Sequence, residues 1–180
     1  LTQVSKAGPV WTGDVRLNEE ALMQPLRWKR PRRIFWNAHG DMFHPAVPDE
    51  WIDRCFASMA LTPQHIHQVL TKRADRMRQY LSARDVRARI GVLIPGLSRS
   101  WRETATGIWH AENWPLCNVW LGVSVEDQQR ANERIPDLLN TPAAVRWLSC
   151  EPLLGEVRLD RIHEVFDDGL GHSWESCLNG

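Results

Sequence analysis

The sequence predicts an α/β fold built on parallel strands. Short apolar runs alternate with amphipathic helical stretches through most of the 180 residues, and strands separated by helices pair in parallel. Each apolar run also ends in polar side chains, the mark of strand carboxyl ends that carry chemistry in folds of this class. Composition agrees. Charged residues are 24% and the wider apolar set 43%, which argues against a disordered chain, a collagen-like repeat or a coiled coil. At this length one domain is the expected count.

The elements follow in chain order. RRIFWNA (32–38), after Pro31, reads as the first strand. From Pro48 the spacing of Ile52, Cys55, Phe56 and Met59 predicts a helix, with Asp49 and Glu50 near its start where carboxylates favour the helix dipole. IHQVLTK (66–72) is the second strand, and Ala74, Met77 and Leu81 mark one face of the helix after it. Residues 91–116 hold Pro95, Gly96, Gly107 and Pro115 with Trp101, Trp109 and Trp114 but no sustained period. They read as an irregular, Trp-rich loop with room for a short helix. NVWLGVSVE (118–126) is the clearest strand, followed by a helix from Asp127 that Pro136 is expected to interrupt or reset. VRWLSCEP (145–152) is the fourth strand, closed by a proline.

Net charge is zero, yet residues 1–149 carry 20 Lys and Arg against 15 Asp and Glu, and residues 150–180 carry two against seven. Positive charge concentrates in LRWKRPRR (26–33) and in 72–89. Such stretches suit phosphate, since Arg and Lys release counterions on contact with nucleic acid. The competing reading, a solvated helix face and a basic loop, is the one that the neutral whole chain favours. The cysteines Cys55, Cys117, Cys150 and Cys177 have no metal-ligand spacing and read as reduced thiols of a cytoplasmic protein. His65 and His67 share a strand face but have no third ligand, so they read as ordinary histidines. No apolar run is long enough for a transmembrane helix, and LTQVSKAGPV lacks the pattern of a signal peptide.

The four proposed strands end in Asn37, His39, Gly40 and Asp41, then Thr71, Lys72 and Arg73, then Ser124, Glu126 and Asp127, then Ser149, Cys150 and Glu151. Parallel pairing would gather these clusters on one rim. Caps and turns compete for the same positions: Asp41 could shape a turn, and Ser124 or Asp127 could cap a helix. GxGxxG and Walker patterns do not occur.

NAHGDMFHPAVPDEWIDRCF, LTPQHIHQVLTKRADRM, NVWLGVSVEDQQRANERIPDLL and TPAAVRWLSCEPLLG together resemble the phage-derived gp thirty-seven/gp sixty-eight family. That family is a radical-SAM-like group of unknown function with a three-cysteine motif. The blocks span most of residues 16–160 and come in the family's order with similar gaps; TKR, NVWLGVSVE and SCEPLLG are the specific parts. The resemblance implies a parallel, TIM-type βα-barrel with a four-iron–four-sulfur cluster and S-adenosylmethionine in complete members. Their cysteine-rich opening would supply three thiolates and leave the fourth iron for the methionyl group. In these 180 residues the first cysteine is Cys55, and the glycine-rich strand that follows SCEPLLG in the family does not occur. The chain is therefore expected to be a fragment or truncated member: a single incomplete barrel over 1–180 with about four βα units, in which 161–180 is a variable acidic tail or insertion. By the same resemblance, Ser124 and Glu126 would meet the cofactor's ribose or amino-acid part, and Lys72 and Arg73 its carboxylate or a substrate phosphate. Asn37, Asp41 and Glu151 are rim residues without an assigned role. No cofactor or metal is expected for this chain itself, which is expected to be catalytically inactive.

The alternative function is a nucleic-acid-binding module that uses 26–33 and 72–89, with Trp rings as stacking platforms. An open partial barrel would also expose its terminal strands, so a homo-oligomer, or a cover formed by 91–116 and 160–180, is expected.

Overall fold

A computed structural model describes residues 2–5, 8–97, 114–160 and 162. Trp101, Trp109, Cys177 and nearly all of the expected tail, 161–180, lie outside the described residues, as does 98–113 of the expected loop. The chain opens with an antiparallel hairpin of β1 (Thr2–Ser5) and β2 (Gly8–Trp11). A short α1 (Glu19–Met23) follows, its first turn capped by Asn18, whose side chain accepts the Ala21 N–H at 3.0 Å. Then come β3 (Arg33–Trp36), α2 (Asp49–Ala60), β4 (Ile66–Thr71), α3 (Ala74–Leu81) and α4 (Val86–Leu97). The last described elements are β5 (Val119–Ser124), α5 (Gln128–Leu139) and β6 (Val145–Ser149).

Strands β3 to β6 form one parallel sheet in chain order. Right-handed crossovers between consecutive neighbours place the connecting helices on one face of such a sheet. Burial follows that rule. Val69, Leu121 and Val123 face the helices and are buried, whereas Phe35, on the alternate face, is 46% exposed. Arg33, Gln68, Leu70, Trp120 and Trp147 share Phe35's face and remain half-buried or exposed.

Helix α2 anchors the core. Ile52, Cys55, Phe56 and Met59 are all buried, as their spacing predicts, and α2 packs against α1 and α4. Because α2 has neighbours on more than one side, Ala57, Ser58 and Ala60 are buried as well. The Ser58 hydroxyl donates to the Leu22 carbonyl at 2.8 Å. Asp53 is also buried, and it accepts from the Tyr80 hydroxyl at 2.5 Å and from Arg89 Nε at 3.0 Å. One carboxylate therefore ties α2 to both α3 and α4.

The two histidines are core residues. His65 Nδ1 accepts the Arg32 N–H at 3.2 Å, and its Nε2 lies 3.1 Å from the Pro25 carbonyl. His67 Nδ1 accepts from the Trp36 indole at 2.9 Å. The Thr62 hydroxyl gives its proton to the Ser58 carbonyl, which leaves its oxygen to accept from His67 Nε2. Burial lowers the His67 pKa to about 4.

Two expectations need adjustment. Pro136 does not interrupt α5: the helix runs through it to Leu139, and the Pro136 carbonyl accepts the Asn140 N–H at 3.1 Å. Burial of Ala131, Ile135 and Leu138 on one face offsets the roughly 3 kcal/mol that an interior proline costs. Within 91–116, the described residues 91–97 are the end of α4, held by buried Ile90 and Ile94. Of the expected stacking platforms, Trp28 is half-buried edge-on to His65, and Trp114 is half-buried against Phe56. Trp114 and Phe56 also line a small apolar cavity with Leu81, Leu116 and Val119.

Candidate functional site

The carboxyl ends of the parallel strands carry a connected polar network. After β3 the chain turns at Asn37, which has a left-handed φ of 58° and whose carbonyl accepts the Gly40 N–H at 2.9 Å. Asp41 follows. Its Oδ1 accepts from the Phe43 N–H at 2.9 Å and from the Thr71 hydroxyl at 2.7 Å, and its Oδ2 accepts from the Lys72 N–H at 3.1 Å and from Arg73 Nη1 at 2.7 Å. This carboxylate shapes its own loop and also bolts that loop to the end of β4.

Lys72 carries the network onward. Its ammonium group donates to Glu126 Oε1, while Glu126 Oε2 accepts from Arg134 Nη1 at 2.8 Å. Arg134 also donates to the Ser124 carbonyl at 2.7 Å, which fixes the guanidinium beneath the end of β5. The side chain of Lys72 is 54% exposed and that of Glu126 only 8%, so the cation forms the outer member of the pair. Burial alone would raise the Glu126 pKa. The Lys72 hydrogen bond and the Arg134 charge outweigh it and hold the carboxyl below its usual range. Glu126 is thus an ionised acceptor at neutral pH, and not a general acid.

The structure gathers Asp41, Lys72, Arg73 and Glu126 and places Ser124 beside them, buried, with its carbonyl in use. Asn37 and Glu151 are exposed on the same rim and outside these bonds. Asp127 is the N-cap of α5, accepting the Arg130 N–H at 2.8 Å.

Sequence reasoning missed two members. Arg134 lies two turns into α5, where one arginine among several gives no sign that it reaches back to a strand end. Arg76 donates to the carbonyls of Phe43, His44 and Val47 and to Asp49, pinning the β3–α2 loop that carries Asp41. Backbone carbonyls some 30 positions away leave no sequence signal.

Among the described residues, no three His, Cys, Asp or Glu side chains converge as metal ligands. Cys55 is buried, which pushes its thiol up to about 12. Cys117 and Cys150 are exposed free thiols that precede β5 and follow β6, at opposite ends of the sheet.

A protein family described as a protein of unknown function (DUF5131) matches residues 2–172. The chain belongs to that family. The match takes in the whole parallel sheet and every member of the rim network. No curated protein and no solved structure matches the chain. Within this DUF5131 chain no described helix is long and apolar enough to cross a membrane.

Proposed function

We propose that the rim binds a small charged ligand carrying both an anionic and a cationic group, and that this ligand is S-adenosylmethionine. The Lys72–Glu126–Arg134 cluster at the ends of adjacent parallel strands carries the reading. Its outer cation suits an α-carboxylate, and the ionised Glu126 beneath suits an α-ammonium group. Arg73, held by Asp41, adds a second cation beside the first, and Ser124 lies at the adjoining strand end. The resemblance to the phage-derived gp thirty-seven/gp sixty-eight proteins supports the choice of ligand and a partial βα-barrel frame, as does a parallel sheet ordered as the chain is.

The rim side chains suit this ligand, and among the described residues the cysteines do not sit together as ligands of an iron–sulfur cluster. Cys55 is buried, and Cys117 and Cys150 are separated by the length of the sheet. The described residues are therefore proposed to bind the ligand without cleaving it. Exposed free thiols suit a reducing, cytoplasmic setting. Equilibrium dialysis with S-adenosylmethionine and S-adenosylhomocysteine tests the reading. We expect both to bind and the affinity to drop about tenfold or more in Lys72→Ala and Glu126→Gln. Absence of binding, or binding that both substitutions leave unchanged, sinks the proposal.

A further inference from the structure

The two basic stretches differ in what their charges do. In 72–89, Lys72, Arg73, Arg76, Arg78 and Arg89 each pair with a carboxylate. Their charge is largely spent inside the fold. Residues 26–33 behave otherwise. Arg27, Lys29, Arg30, Arg32 and Arg33 are all exposed, and no acidic side chain pairs with any of them among the described residues. The segment itself contains no acidic residue.

These cations are also interleaved with rings. The Arg32 guanidinium lies over the Trp28 indole at 4.5 Å, and the Arg33 guanidinium lies over Trp120, two strands away, at 5.7 Å. Trp28 is itself steadied edge-on by buried His65, whose Nδ1 takes the Arg32 N–H. The backbone before β3 is therefore fixed while its charged ends remain in solvent. A guanidinium resting on an indole leaves its other flat side open as a stacking surface. The whole group lies at the amino ends of the strands, away from the rim.

We infer that this amino-end surface binds single-stranded nucleic acid, with Arg27, Lys29 and Arg30 on phosphates and the Arg32–Trp28 stack receiving a base. Unpaired cations supply the affinity, and planar groups select unstacked bases over a duplex. The surface is independent of the rim, so either can fail without the other.

The test uses the full chain and a labelled oligothymidylate of about a dozen nucleotides, read by fluorescence anisotropy. Affinity should fall between about 50 and 200 mM salt, with log Kd rising by roughly 2 per unit of log salt for the three phosphate contacts of Arg27, Lys29 and Arg30. Arg27→Glu with Lys29→Glu and Arg30→Glu should weaken binding more than about tenfold and flatten that slope. Arg84→Glu, an exposed change in the other basic stretch, should leave binding nearly unchanged. Arg32→Lys keeps the charge and loses the plane, so it should weaken binding several-fold with the slope intact. Circular dichroism verifies that each variant is folded. No binding at low salt, equal losses from the triple change and Arg84→Glu, or tighter binding to a matched duplex or to phosphatidylserine vesicles would each overturn the inference.

Discussion

His67 shows how far a single side chain can be read in advance. Its position two residues after His65 marks a shared strand face, and the absence of a third ligand in the sequence argues against a metal. Its partners could not be read, because Trp36 and Thr62 come from a neighbouring strand and from the end of a helix. With both nitrogens occupied by neutral partners and the ring buried, the folded protein resists its protonation. The folded pKa of about 4 lies below the ordinary 6.5, so the unfolded chain takes up the proton first as pH falls. The stability this group contributes is complete above about pH 6.5 and is lost as pH falls toward 4, a swing of about 3 kcal/mol. Urea unfolding at pH 7 and pH 4.5 should reveal the loss, and His67→Gln should reduce it. Glu126, with a lowered pKa, adds a loss in the carboxylate range below that window. Ser124, Lys72, Arg73 and Glu126 were legible as strand-end residues, whereas the links that Asp41 and Arg134 make between them depended on the fold.

At the scale of elements, periodicity located α2 because it buries a repeating apolar face, and short apolar runs recurring between helices located the four parallel strands. The strands β3, β4, β5 and β6 fall inside the expected runs, and the expected runs are longer because their polar ends belong to the rim. The hairpin β1–β2 escaped, since Gly8 and Pro9 read as breakers and its backbone pairing follows no apolar pattern. Asp53 is another case. It lies between apolar positions of α2, where a surface carboxylate would be the ordinary reading, and only the packing of α3 and α4 buries it. Asp53→Ala should cost about 2 kcal/mol or more by leaving the Tyr80 hydroxyl without its partner and releasing Arg89. Arg89 retains Asp85, so the loss should exceed that of Asp85→Ala, an exposed pair. Chemical denaturation of both variants measures the difference.

For the whole molecule, the sheet has two edges, β3 and β6, each paired on one side only among the described residues. Exposed edges and a half-covered face promote association. Sedimentation velocity should show a dimer, or else hydrogen exchange should show slow amides along β3 and β6 in a monomer. A monomer whose edge amides exchange freely would refute both. The sequence pattern anticipated the parallel order because helices recur between strands; it could not say how the sheet's second face is finished. On that face Trp147 lies against Gly122 so closely that an added Cβ would fall 2.4 Å from the indole. The two positions are therefore mutually dependent. Through the history of such chains, any side chain gained at 122 must be matched by a smaller or displaced ring at 147, so substitutions at the two sites should travel together.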